Sequence, residues 1–112
     1  MILLSTGSVF GATEHFIQAE PESIGRSLTI SVSKGNCIAC HSIPAEKKIV
    51  SLANIGPPLI GIKQRFPLRT NLTKQIWDPT QANPNTIMPP FGKHKILTEL
   101  EIKFIVDYLY TL

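Results

Sequence analysis

The sequence predicts an all-α domain in which a few short helices and proline-rich loops surround a group that is not polypeptide. Three observations carry this expectation. The C-terminal segment reads as a capped amphipathic helix. Seven of the nine prolines lie between Pro57 and Pro90, where they exclude both a sheet interior and a long helix. Finally, 112 residues arranged this way, 43% of them hydrophobic, cannot close a core with two or three helices alone. The two cysteines are too few for the disulfide framework of a small secreted protein, so a bound prosthetic group is the expected filler. A disordered chain is excluded, because 17% charged residues is too low and the aliphatic content too high.

Residues 1–20 form the first segment. No side-chain charge occurs through Thr13, and Ile2, Leu3, Leu4, Val9 and Phe10 make the stretch apolar. It looks like a clipped signal-peptide core with a small-residue exit at Val9-Phe10-Gly11, although the basic start is missing. The competing reading is an apolar N-terminal strand or helix. A domain over residues 21–112 then begins with a helix signal at Pro21-Glu22-Ser23, with Ser23 as the capping residue. The segment Ile24 to Val32 reads two ways. Ile24 and Leu28 suit a helix, whereas Leu28, Ile30 and Val32 alternate with Thr29, Ser31 and Ser33 as a strand would. Lys34-Gly35-Asn36 ends it.

From Ile49 to Pro90 turns dominate, at Gly56-Pro57-Pro58, Arg65-Phe66-Pro67 and Asn83-Pro84-Asn85. One helical piece is expected here, from Asn71 as N-cap to Trp77, with Leu72 and Ile76 on one face and Asp78-Pro79 as the stop. The last helix is the clearest. Thr98 and Glu101 make a capping box, and Ile102, Ile105, Val106 and Leu109 recur at helical spacing. A helix from Glu99 to about Thr111 follows.

Charge and hydropathy remove whole classes of function. The net charge of +3 is far from the basic density of a nucleic-acid binder, and no stripe interleaves arginines with aromatics. No run of 18 apolar residues exists, so no transmembrane helix is expected.

The chemistry sits in Cys37-Ile38-Ala39-Cys40-His41, a C-x-x-C-H attachment motif for c-type haem. On one helical turn, residues three apart project to the same side. Both thiols can then join the two vinyl groups of one porphyrin, while the next residue brings an imidazole under the iron. Two other readings compete. A thioredoxin-like C-x-x-C needs a βαβ setting that the sequence does not supply. A zinc site needs a fourth ligand, from His15 or His94, and three ligands within five residues crowd a tetrahedron.

Beyond Met1 the chain has one methionine, Met88, in Ile87-Met88-Pro89-Pro90-Phe91-Gly92. It lies in a segment without helical or strand period. Core filling is the ordinary role of a lone methionine, but here a fixed thioether suits a sixth iron ligand opposite His41. His94 is the other candidate, although Lys93 and Lys95 beside it suggest a solvated face. A ligating imidazole normally donates its other N–H to an acceptor, and the Pro57 carbonyl in Gly56-Pro57-Pro58-Leu59 is the expected partner of His41 Nδ1. An ordinary turn is the alternative there. Arg65, Arg69 and Trp77 are candidate partners for haem propionates, which need donors when partly buried. Lys34, Lys47, Lys48, Lys93 and Lys95 flank these segments, either as a ring that steers an acidic partner or as plain solubilising surface.

With these residues in place the chain resembles the class I cytochromes c, and within them the SoxX family, the monohaem subunits of the SoxAX complexes of bacterial sulfur oxidation. The resemblance runs from about Ile24 to Leu112. It rests on Gly25-Arg26, Gly35-Asn36-Cys37-Ile38-Ala39-Cys40-His41, Asn54-Ile55-Gly56-Pro57-Pro58-Leu59, Met88-Pro89-Pro90-Phe91-Gly92 followed by Ile96-Leu97-Thr98, and Asp107-Tyr108-Leu109. It implies the class I cytochrome c fold, one covalent haem c, axial ligation by His41 and Met88, and a periplasmic location. It also implies that the ambiguous first segment is a helix crossing the last one near Gly25 and Tyr108. The sequence departs from the family where an aromatic residue is common, at Thr29.

The expected function is one-electron transfer, since two axial ligands leave the iron no open position for a substrate. Alone the chain is not expected to be a catalyst. By resemblance it would be the electron-transfer subunit of an L-cysteine S-thiosulfotransferase complex. A SoxA-like cytochrome would be its heterodimer partner and a downstream electron acceptor its outlet. The alternatives are a free periplasmic cytochrome c shuttle and a haem module that binds gases when Met88 dissociates.

Overall fold

The computed structural model describes residues 20–112. Apart from Glu20, the expected leader over residues 1–20 lies outside the described residues, as does His15.

Helix α1 spans Pro21–Ile30. Pro21 stands in its first turn and Glu20 is the N-cap, without a side-chain cap bond. Ser23 was expected to cap but lies inside the helix, because the fixed φ and missing N–H of a proline suit the first helical position. The strand alternative for this segment fails at Val32, which is 83% exposed beyond the helix end. The helix is chosen by what Gly25 and Thr29 meet. Both are buried against the last helix, α4, Glu99–Leu109.

A Cβ built on Gly25 would overlap the Phe104 carbonyl oxygen and lie 2.8 Å from Tyr108 Cβ. The two backbones therefore meet as no other residue would allow. Thr29, in place of the family's aromatic, is fully buried and donates its hydroxyl to the Gly25 carbonyl at 2.7 Å. That bond satisfies the polar atom within its own helix.

After α1 the chain folds back through Gly35 N–H to Leu28 O and Asn36 N–H to Ser31 O, both 3.0 Å. Asn36 has φ 47°, a left-handed conformation that asparagine tolerates better than most residues. It delivers the chain into a 3₁₀ turn, Cys37–Ala39.

A single helical turn, α2, Ile62–Arg65, was not expected; it is too short to show a period, and Ile62 is 1% exposed beneath it. Helix α3 runs Arg69–Trp77 with Leu68 as N-cap, three residues before the expected cap Asn71. Asn71 does not cap it but sits in the first turn, its N–H on Leu68 O. Asp78 stops the helix as expected, and its carboxylate accepts the Thr80 N–H at 3.1 Å to open a second 3₁₀ turn, Pro79–Gln81.

Helix α4 begins with the capping box read from the sequence. Glu101 N–H donates to Thr98 Oγ1 at 3.1 Å and Thr98 N–H to Glu101 Oε1 at 3.0 Å. It ends at Leu109, two residues earlier than expected, in a turn where Thr111 N–H reaches Tyr108 O.

No strand occurs among the described residues, and the fold is all-α. The core is centred on α4, whose Ile102, Ile105, Val106 and Leu109 are at most 4% exposed and join Leu72, Ile76 and Leu97. Burial of each such side chain is worth roughly 1.5–3 kcal/mol.

Candidate haem site

The 3₁₀ turn sets the motif. In such a turn residues three apart eclipse one another, so Cys37 and Cys40 project together. Cys40 N–H and His41 N–H both bond to Cys37 O, at 3.1 and 2.8 Å. The cysteines form no disulfide. Burial pushes the Cys37 thiol up to about 11.

The loop that follows is strapped back onto the turn. Ser51 Oγ donates to Ile38 O at 2.8 Å, Gly56 N–H to Cys40 O at 2.8 Å, and Leu59 N–H to Ser42 O at 2.8 Å. This brings Pro57 to His41, whose Nδ1 lies 2.6 Å from the Pro57 carbonyl oxygen. A carbonyl can only accept, so Nδ1 is the donor here, and Nε2 is the nitrogen left for a metal. Gly56 is required at this approach. A Cβ there would sit 2.6 Å from His41 Nδ1 and overlap the ring carbon beside it.

Between this strap, α3, α4 and the proline-rich segment lies a cavity of about 470 Å³, within the range of cofactor sites. Cys37, Cys40, His41, Pro57 and Met88 all line it, with Leu59, Ile62, Leu72, Ile76 and Leu109 as apolar wall. Met88 is held from two sides. Its N–H donates to Thr86 Oγ1 at 3.1 Å. Downstream, Gly92 and Lys93 N–H groups bond to Trp77 O at 3.1 and 3.2 Å, tying the segment to the end of α3.

Of the three proposed propionate partners only Arg65 lines the cavity, with its Nη1 donating to Pro58 O at 2.9 Å. The other two proposed partners, Arg69 and Trp77, lie off the cavity wall. Arg69 pairs with Asp107 and lies 4.6 Å over the Tyr110 ring, because its place at the start of α3 faces α4. Trp77 packs flat on Gly92, where a Cβ would overlap its ring, and is absent from the cavity wall. His94 is exposed and also absent from it.

Among the lysines, Lys34 lines the cavity and pairs with Glu101 at 3.0 Å, Lys93 lies 3.8 Å from Asp78, and Lys47, Lys48 and Lys95 are exposed. Sequence reasoning missed Gln75 and Thr86 on the cavity wall. A glutamine on a short helix carries no signal that separates a cavity face from a solvated one.

The donor set fits a covalently held haem. Two thiols stand on one turn, an imidazole has its outer nitrogen fixed, and a thioether faces the same apolar cavity. A zinc site finds no donor set among the described residues, which do not include His15. Among the described residues no group of three or more His, Cys, Asp or Glu side chains converges to hold a metal ion.

Such a site on a strand-free helical frame defines a c-type haem protein. The cytochrome c family model matches residues 31–112, and the chain belongs to the cytochrome c family, whose members carry covalently bound haem c and transfer electrons. Among solved structures, SoxXA from P. pantotrophus matches with a TM-score of 0.72 over 80% of this chain and 80% of that one, at 24% identity. That likeness is one of fold. An "Uncharacterized lipoprotein" of Aquifex aeolicus (strain VF5) is 38% identical over 77 residues, 69% of this chain. The match spans 36% of that relative's length. Among the described residues no helix is long and apolar enough to cross a membrane.

Proposed function

We propose that this cytochrome c is the electron-accepting subunit of an exported, SoxX-like complex. Its SoxA-like partner would join thiosulfate oxidatively to a carrier-protein cysteine, and this chain would take up the electrons released. The fold shared with SoxXA at a TM-score of 0.72 supports the assignment. The uncharged segment through Thr13 and the lipoprotein relative favour export to the periplasm.

The observation that carries the electron-transfer part is that His41 and Met88 line one cavity. Haem bound there supplies a reversible one-electron couple. In this reading Cys37 and Cys40 hold the porphyrin through thioethers, and His41 ligates through Nε2 while Pro57 fixes its plane and basicity. Met88 ligates through Sδ, a soft neutral donor that favours the ferrous state. Arg65 is the propionate donor. With His41 and Met88 both given to the iron, the cavity would leave no place for a substrate at the metal, and the chain would pass electrons rather than catalyse.

The test has three arms. Co-expression with a SoxA-like cytochrome should yield a one-to-one heterodimer. A protein that stays monomeric and reduces an oxidase directly would be a free shuttle instead. The reduced protein should not bind carbon monoxide, and binding would make it a gas-sensing module. Met88→Ala should abolish the near-infrared charge-transfer band of Met-ligated ferric haem and admit exogenous ligands, with the helical content retained. An unchanged spectrum would remove Met88 from the iron.

A further inference from the structure

Trp77 has no task in the core or at the cavity. It stands outside the buried cluster and off the cavity wall, and 40% of it is exposed. The chain's one tryptophan nevertheless meets the methionine segment twice. Its carbonyl accepts the Gly92 and Lys93 N–H groups. Its ring lies so close to Gly92 that a Cβ there would overlap Cε3 and Cδ2. Gly92 is not among the residues with positive φ, so its backbone could carry an alanine. The ring is what excludes one.

From that seat back to Met88 the chain is short and stiff. Pro89 and Pro90 have φ locked by their own rings. Phe91, 9% exposed, closes the run. Its N–H donates to Pro89 O at 3.1 Å, and its carbonyl accepts the Ile96 and Leu97 N–H groups at 2.9 and 3.0 Å. On the other side Met88 N–H is held by Thr86 Oγ1. A shift at Gly92 finds few soft torsions to absorb it and reaches Met88.

We infer that Trp77 is a positioning residue for the methionine segment: its ring seats Gly92, and through Pro89 and Pro90 that seat sets how often the Met88 sulfur leaves the iron. This rests on the reading of Met88 as the sixth ligand. A methionine side chain has three rotatable bonds, so the backbone beneath it decides whether the sulfur stays in reach. Pushing Gly92 off the ring, or removing the ring, enlarges the population with an open sixth position. An external ligand binds only that population, so its apparent affinity rises in proportion.

The experiment is imidazole titration of the ferric holoprotein in the parent, Gly92→Ala, Trp77→Leu and the double variant. Gly92→Ala presses a methyl into the ring and should tighten imidazole binding about tenfold, which is a tenfold larger open population. Trp77→Leu keeps the carbonyl tie and should tighten it about threefold. In the Trp77→Leu background Gly92→Ala should add nothing, because the atoms it struck are gone. Before imidazole is added the near-infrared methionine band should be present in all four proteins, and hydrogen exchange in α4 should match the parent's.

Unchanged imidazole affinity in both single variants, with the band present, would overturn the role of Trp77 and leave Met88 ligation standing. An equal effect of Gly92→Ala with and without the ring would also overturn it, since the methyl would then act on something else. So would a loss of protection in α4, which would make the effect one of general loosening. If Gly92→Ala does not fold, Trp77→Leu decides alone, and parent-like affinity there overturns the inference. Absence of the band from the parent would overturn both the ligation and this inference.

Discussion

Two regions of this cytochrome are built on opposite principles. Where α1 crosses α4, contact is direct and continuous. Gly25 lies on the Phe104 carbonyl, Thr29 is sealed by its own helix, and the side chains of α4 beneath are at most 4% exposed. The loop face, running through residues 42–61 and 78–97, has few such contacts. It is held by single hydrogen bonds onto carbonyls, from Ser51, Gly56, Leu59 and Gly92, and it encloses a cavity of about 470 Å³. Its apolar residues Leu59, Phe91 and Leu97 face that cavity. The crossing carries its own core, whereas the loop face borrows one from the haem.

The largest expected effect breaks that asymmetry. Removing both attachment sites, Cys37→Ala with Cys40→Ala, should abolish stable holoprotein. Amide hydrogen exchange should rise first through residues 42–61 and 78–97 and last in α4. A double variant produced haem-free, folded and equally protected in both regions would show that the loop face is self-sufficient.

A smaller effect tests the crossing. Gly25→Ala gains roughly 1 kcal/mol of helix propensity, but it drives a methyl into backbone that cannot move as a side chain would. Overpacking of this kind costs about 3 kcal/mol. The net loss of about 2 kcal/mol should lower the melting temperature by roughly 10 °C. The haem spectrum should be unaltered, because the change lies in the frame. A melting temperature equal to or above the parent's would mean that the helices can part at no cost.

The smallest effect concerns the joint between the two regions. Glu46, on the strap after the motif, accepts from Arg26 Nε and from Tyr108 OH, both at 2.8 Å. The Arg26 hydrogen bond, followed by that of Tyr108, holds its carboxyl below the usual carboxylate range. Burial, followed by Glu46, pushes the Tyr108 phenol well above its usual value. A carboxyl depressed on folding contributes stability that is full above its unfolded pKa and is lost as pH falls through the folded one. The urea midpoint should therefore drop more steeply on the acid side, below about pH 4.5, in the parent than in Glu46→Gln. Parallel curves would remove this joint from the acid sensitivity.

Much of the candidate site was legible because its signals are local. The spacing of Cys37, Cys40 and His41, the placing of Met88 before two prolines, and the Thr98–Glu101 box each need only a few neighbouring residues. Even the Pro57 acceptor could be anticipated from the chemistry of a ligating imidazole. Contacts between distant segments carry no such local signal. Arg69 was expected at a propionate but pairs with Asp107, 38 residues away. Trp77 was expected there too and covers Gly92.

The sequence by itself determined the covalent chemistry and the type of fold, since thiols, imidazole, thioether, caps and prolines act through the few atoms bonded beside them. Tertiary structure alone decided that Ile24 to Ile30 is a helix, because burial of Gly25 and Thr29 against α4 outweighs an alternating pattern that suits either state. It also decided that Gln75 reaches the Met88 sulfur. A glutamine has no preference for sulfur over water until a helix and a loop, brought together by the packing of other residues, leave it no closer partner.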